Sequence, residues 1–483
     1  MKRRFFMTAA LSTAALPACA NAPETSARPV LKPADALARS APAAERLVQA
    51  AGLGGRVGFV VADARTGEVL ETLNPVRPLP PASVAKAVTA LYALETLGPG
   101  FRFETRLVAT GPIRGGRLDG DLVLVGGGDP ALDADGLYNL AAQAKAAGLR
   151  EVGGRLLVDA SALPAIERID RTQPEHVGYN PAVGALNLNF NRVNFSWQRA
   201  GGDYATTMDA RSARFRPEVT TSEIAVANRS LPVYTYGRRG EIDSWTVARG
   251  QLGGTGSRWL PVRNPDLYAG DVLRTMLRSN GIVTPAPRRG RGQGTTIAVE
   301  RGATLDRVAA SMLQYSTNLV AELLGLTATA RLTGPPRSLD ASADVMSQWV
   351  AQRTGSRRPD FDDHSGLNGT TRISASDMVR LLTAPGAMGR LRPLLKEITL
   401  EGPPRQSVQA KTGTLNFVSG LAGYFDAPTT GRSFAFATFA ADTDRRAALT
   451  VDQRDRPAGG RNWSRAARSL QFDLIERWAA VHA

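Results

Sequence analysis

The chain has 483 residues, 43% hydrophobic and 21% charged, which excludes a largely disordered protein and, at roughly 100–200 residues per domain, leaves room for several domains. One cysteine, Cys19, and three histidines, His176, His364 and His482, exclude a disulfide framework and a Cys/His zinc site. The formal net charge of +15 rests on 59 basic residues, six of them lysine and 53 arginine; they are dispersed and no nucleic-acid motif accompanies them, so anionic surroundings other than nucleic acid are expected.

Lys2-Arg3-Arg4 precedes an apolar run from Phe5 to Leu16 and then Pro17-Ala18-Cys19-Ala20. That is the layout of an export signal over residues 1–20, too short for a spanning helix, and it predicts a periplasmic protein. Arg3-Arg4 is similar to a twin-arginine signal. Leu16-Pro17-Ala18-Cys19 is similar to a lipobox, in which Cys19 becomes a lipidated membrane tether; the alternative is cleavage after Ala20. Residues 21–45 form an Ala/Pro-rich linker and the start of the core.

A hairpin is expected from Phe59-Val60-Val61, a turn at residues 64–67 and Val69-Leu70. Pro80-Pro81 lead into Val84, Val88, Leu91, Leu94 and Leu97, a buried helix stopped by Gly98-Pro99. From 100 to 265 short strand-like runs, such as 122–125 and 155–158, alternate with Gly-rich turns, with one helix from Leu137 to Ala147. Helical patterns return at 267–280, 305–330, 376–383 and 391–396. Strands follow at 407–412, 418–425 and 433–440, then an amphipathic helix at 464–481. This order predicts an α/β (α+β) core made of residues 46–99 and 266–483, interrupted at 100–265 by a mostly β insertion of one or two small domains.

Three short motifs occur once each: Ser83-Val84-Ala85-Lys86 at the start of the buried helix, Ser316-Thr317-Asn318 between helical segments, and Lys411-Thr412-Gly413 at the end of a strand. A serine opening a helix lies near free backbone N–H groups, and a residue three positions on lies one turn along the same face. In so arginine-rich a chain, a retained lysine is a candidate for work a guanidinium cannot do, such as losing its proton. Lys86, neutral through burial or a neighbouring cation such as Lys411, would take the Ser83 proton so that Ser83 attacks an acyl carbon. Ser316 and Asn318 would relay protons and hold the substrate amide. Lys411, Thr412 and Gly413 would bind a substrate carboxylate, and the N–H groups of Ser83 and Thr414 would form an oxyanion hole. With six lysines, K-T-G alone is expected by chance about 0.05 times, whereas the other two motifs are weak singly. The order of all three carries the signal.

The set is close to that of penicillin-binding proteins and class A β-lactamases, with Thr317 in place of the aspartate. The sequence resembles the D-alanyl-D-alanine carboxypeptidases/endopeptidases, the three-domain class C low-molecular-mass penicillin-binding proteins, from about residue 40 to 480. The resemblance extends to Gly126-Gly127-Gly128-Asp129-Pro130, Asn318-Leu319-Val320-Ala321-Glu322, Ser365-Gly366-Leu367 with Arg372-Ile373-Ser374, and Leu421-Ala422-Gly423-Tyr424. It implies a penicillin-binding/serine β-lactamase-like transpeptidase core, no cofactor or metal, peptidoglycan stem peptides or cross-links as substrate, and β-lactam antibiotics as covalent inhibitors. It also implies that Asp129 contacts the substrate's side chain. Relatives have Ser-Arg where this chain has Asn368-Gly369, so their arginine is missing, with Arg372 a candidate replacement.

Other features carry plainer readings. His364 is expected in a loop, since no G-x-S-x-G accompanies it, and His176 and Tyr179 in a turn of the insertion. Trp259, Trp349 and Trp478 are expected in the core or at interfaces, and Asp362-Asp363 in a solvated turn. Three functions stay open: a periplasmic D,D-peptidase, a β-lactamase, or a non-catalytic peptidoglycan-binding scaffold of the same fold.

Overall fold

A computed structural model of the protein describes residues 41–356, 359–400, 406–427 and 430–482. The export-signal and lipidation readings, Cys19 included, lie outside the described residues. No described helix is long and apolar enough to cross a membrane.

The core is a six-stranded antiparallel sheet in the order Lys396–Leu400, Gln406–Leu415, Val418–Asp426, Ser433–Ala441, Arg56–Asp63, Val69–Leu73. The first strand of the chain thus closes against one of the last. Both faces of strand Arg56–Asp63 are covered, so it is apolar without alternation. Phe59 and Val61 face helix Gly460–Val481, with Phe59 5.5 Å from Trp478. Val60 and Ala62 face the helices of the other side, Ala85–Leu97, Leu305–Tyr315, Asn318–Thr333, Leu339–Thr354 and Ala375–Thr383. Helix Ala85–Leu97 is buried on every side from Ala85 to Leu94, which is why it lacks an amphipathic pattern.

The insertion is larger than its expected limits. Strand Thr295–Thr304 returns antiparallel to Arg102–Ala109, pairing Thr304 with Arg102, so the inserted region runs to 304 rather than 265. Helix Pro265–Ser279 belongs to it, because Tyr268, Val272, Leu273 and Met276 enter the insertion's own core beside Leu137 and Leu140. The helical pattern at 267–280 does not say against which core the helix packs. The near part is a five-stranded sheet, order Pro287–Arg289, Leu156–Asp159, Leu122–Gly126, Arg102–Ala109, Thr295–Thr304. Its parallel pair Leu122–Gly126 and Leu156–Asp159 is joined through helix Ala134–Ala146, a βαβ unit. The far part is all β: one sheet of Asp203–Asp209, Arg192–Ala200 and Thr255–Pro261, another of Ser222–Ala227, Ile242–Ala248 and Tyr234–Arg239.

One further expectation is corrected. The helix expected at 391–396 lies earlier, at Ala387–Leu391, and a 3-10 turn, Arg392–Leu394, leads from it to edge strand Lys396–Leu400. The break expected at Ser316-Thr317-Asn318 within the 305–330 pattern is present: helices Leu305–Tyr315 and Asn318–Thr333 meet at Ser316, which adopts left-handed backbone (φ 59°, ψ 37°).

Candidate active site

The three motifs converge from a turn, a helix junction and a strand. Ser83 sits in the 3-10 turn Ala82–Val84, which continues into helix Ala85–Leu97. Ala82 has φ +48°, a conformation that costs an L-residue on the order of 1 kcal/mol and is held here by close backbone packing. A β-carbon at Gly413 would lie 2.3 Å from Pro81 O and 3.1 Å from Ser83 N; one at Gly366 would lie 1.9 Å from Ala82 O. Only glycine lets strand Gln406–Leu415 and the 363–368 loop press on the serine turn from both sides.

Lys86 is fully buried one turn beyond Ser83. Its Nζ lies 2.9 Å from Ser83 Oγ, 2.7 Å from Asn318 Oδ1 and 2.8 Å from the Ser365 carbonyl. Charged, Lys86 donates to all three. Neutral, it keeps two N–H donors for Asn318 Oδ1 and Ser365 O and turns its lone pair to the Ser83 hydroxyl. Burial pushes its pKa below the ordinary lysine value, outweighing the opposing charges of Asp363 and Glu322.

Asn318 opens helix Asn318–Thr333, and its Nδ2 donates to Tyr179 O at 2.9 Å. The left-handed turn at Ser316 brings its Oγ to 3.0 Å from Lys411 Nζ, which also donates to Thr412 O at 2.8 Å. Burial, and then the charges of Lys86 and Lys396, lower the Lys411 pKa to about 7. The two serines that these buried lysines contact thus open on one cleft of ≈ 1100 Å³, lined by Ser83, Ser316, Asn318 and Thr414 among others. Thr412 is exposed beside it.

Sequence reasoning missed the support of Lys86. Asp363 is fully buried, not solvated: Oδ1 accepts from Gly366 N at 2.6 Å and Oδ2 from Asn368 N at 2.7 Å, closing the loop that presents the Ser365 carbonyl. Glu322, also fully buried, accepts from His364 N at 2.9 Å. Burial raises the pKa of both carboxyls, and the Asp363 charge raises that of Glu322 further. An acid inside the apolar run of helix Asn318–Thr333 was the readable signal, since a carboxyl there must find partners.

Several single-residue expectations resolve differently. Asp129 does not line the cleft; it is buried in the insertion against Gly302, with Oδ1 accepting from Ala131 N, and burial raises its pKa to about 6. Arg372 is committed to the loop backbone, donating to Gly369 O and Thr371 O. The space beside Gly369 is taken by Arg446, whose Nε lies 2.9 Å from where a β-carbon would stand. His364 is a buried structural ring, within hydrogen-bond distance of Ser342 Oγ (2.8 Å), its pKa lowered to about 3 by burial. Tyr179 lies in a turn of the insertion as expected, yet it lines the cleft and touches Asn318.

The chain is 27% identical over 415 residues to a D-alanyl-D-alanine carboxypeptidase of Actinomadura sp. (strain R39), covering 77% of this chain and 75% of the relative. It is 24% identical over 427 residues to the D-alanyl-D-alanine carboxypeptidase DacB of Haemophilus influenzae, covering 80% and 85%. The crystal structure of penicillin binding protein 4 (dacB) from Haemophilus influenzae superposes with a TM-score of 0.74 at 22% identity, over 91% of this chain and 99% of that one, which establishes the shared fold. The model of the D-Ala-D-Ala carboxypeptidase 3 (S13) family matches residues 41–456. With that match spanning most of its length, the chain belongs to the S13 family of D-Ala-D-Ala carboxypeptidases and is a serine hydrolase.

Proposed function

We propose that the protein is an exported, periplasmic D,D-carboxypeptidase/endopeptidase that works through an acyl-enzyme on Ser83. It cleaves peptidoglycan stem peptides ending in D-Ala-D-Ala, or the cross-links made from them. The observation that carries this reading is the buried Lys86 amine, 2.9 Å from Ser83 Oγ with its two other contacts on carbonyl oxygens. Neutral Lys86 takes the hydroxyl proton as Oγ bonds to the carbonyl carbon of the penultimate D-alanine. The oxyanion forms between the N–H groups of Ser83 and Thr414. As the C–N bond breaks, the leaving nitrogen takes up the proton that Lys86 gained, relayed through Ser316, which Lys411 holds at 3.0 Å, so Lys86 is neutral again. Lys411, Thr412 and Gly413 bind the substrate carboxylate. Water then attacks the ester, with Lys86 again as base, releasing the acid and freeing Ser83.

A solved structure of this fold is described as complexed with a novel β-lactam, in keeping with penicillin as a covalent ligand. The test is intact mass after incubation with benzylpenicillin. The wild-type chain should gain one drug mass on the Ser83 peptide, and Ser83→Ala should gain none. No glutamate lines the cleft among the described residues, so nothing there matches the second base that β-lactamases use on the ester. The adduct should therefore persist while a D-Ala-D-Ala peptide turns over. Rapid, sustained penicillin hydrolysis would establish a β-lactamase instead, and an adduct on Ser83→Ala would overturn the assignment of the nucleophile.

A further inference from the structure

One wall of the cleft is built of arginines that no step above uses. Arg446, Arg454, Arg456, Arg461, Arg465 and Arg468 line the same cavity as Ser83, with Asp455 the acid among the lining residues. Among the described residues none of the six forms an ion pair. Other arginines of the chain do find carboxylates, as Arg211 does in Asp209 at 2.6 Å and Arg392 in Asp426 at 2.6 Å.

The arrangement is built into the fold. Arg461, Arg465 and Arg468 stand at i, i+4 and i+7 of helix Gly460–Val481, on one exposed face. The opposite face, with Trp463, Ala467 and Leu470, is buried in the core and fixes the helix rotation. The first turn of this 22-residue helix opens on the cleft through Gly459 and Gly460, adding the partial positive charge of its N–H groups.

Arg446 is the second, independent observation. The residue is only 8% exposed, yet it lines the cavity, and the one protein hydrogen bond of its side chain among the described residues is a 3.3 Å donation to Asn416 O. Burial, and then the charge of Arg454, work against its ionised form. A guanidinium so buried without a carboxylate partner carries a desolvation cost that an anionic ligand would relieve.

We infer that this wall is a subsite for polycarboxylate substrate: peptide bearing several free carboxylates on the arm that runs away from the scissile D-Ala-D-Ala end. The inference rests on the proposed peptidase reading for the scissile end, and its test separates the two. Two fluorescein-labelled peptides share a D-Ala-D-Ala terminus, one with a neutral arm and one with three added glutamates. Their affinities for the full-length Ser83→Ala chain are read by anisotropy. The charged peptide should bind about tenfold more tightly at about 50 mM NaCl, and the gap should close at about 500 mM. The triple variant Arg461→Gln/Arg465→Gln/Arg468→Gln should abolish the gap, whereas the corresponding triple lysine variant should retain most of it. Equal affinities at low salt, or a gap that survives the triple glutamine variant, overturn the inference. Absence of D-Ala release from either peptide by the wild-type chain would overturn the peptidase reading alone, because the affinity comparison does not need turnover.

Discussion

The imidazole of His364 occupies the space that a side chain at Gly325 would need: a β-carbon there would sit 2.1 Å from His364 Cγ. Gly325 lies on the helix that carries Asn318, and His364 lies next to Ser365, so this contact sets the spacing of two of the oxygens that accept from Lys86. Gly325→Ala should therefore push the helix and the loop apart. A loss of about 1–3 kcal/mol in stability is expected, the usual cost of overpacking. Acylation by penicillin should slow with it. Unchanged melting temperature together with unchanged acylation rate would show that the contact sets nothing.

Lys86→Arg should be nearly as inactive as Lys86→Ala, with acylation down by about 10²–10⁴, the range for a lost general base. A guanidinium keeps its proton near neutral pH, and its planar fork does not fit the three-way contact that Nζ makes. Acylation rates of the two variants, with folding checked by circular dichroism, decide the matter. An active arginine variant would mean that Lys86 supplies charge alone.

Glu322→Gln should move the pH dependence of acylation. The Glu322 charge raises the Lys86 pKa, so its removal lets Lys86 lose its proton at lower pH. The rising limb of the acylation profile should shift to lower pH, by up to about one unit, while the glutamine oxygen still accepts from His364 N. A simple packing defect would lower the whole profile without moving the limb. A shift to higher pH would contradict the electrostatic account.

Lys411→Met should be inactive yet more stable than the parent at pH 7, with a melting temperature higher by about 2 °C or more. The folded chain holds the Lys411 pKa at about 7, below the 10.5 of a free lysine. An unfolded chain takes up a proton that the folded one resists, so the folded state is penalised fully below pH 7 and progressively less up to pH 10.5. Differential scanning calorimetry across pH 7 to 9.5 should show the advantage of methionine shrinking. A gap that widens with pH would reverse the sign of this argument.

What the sequence discloses divides along one line. Ser83 and Lys86 are separated by one helical turn, and Ser316 and Asn318 flank one helix break, so local spacing makes each pair legible. Asp363 and Arg446 depend on chain reversals that spacing does not encode. Asp363 looks like half of a polar turn until it folds back onto Gly366 N and Asn368 N. Arg446 comes from the segment after the last core strand, yet it fills the space beside Gly369. The insertion's far boundary failed for a related reason. Helix Pro265–Ser279 is buried continuously from Leu267 to Leu273, and its apolar residues would suit either of two cores within reach.

The pairing of Arg102 with Thr304 ends the insertion where it begins, so the whole region is one excursion from the core. Leu305 N donates to Phe101 O at 2.8 Å and Asp306 N to Pro99 O at 3.1 Å, so the chain leaves and re-enters the core through a single doorway. Evolution can lengthen, shorten or exchange what hangs beyond that doorway at little entropic cost, because the penalty for closing a loop grows only with the logarithm of its length. The module also touches the chemistry: the Tyr179 carbonyl receives a proton donor of Asn318, and Leu163, Ile169, Val183 and Ala185 pack against Leu319, Leu323 and Leu326 of the helix that Asn318 opens. Any replacement would have to hand back an acceptor at that point, which makes this turn the place where inherited variation in the module meets selection on the reaction.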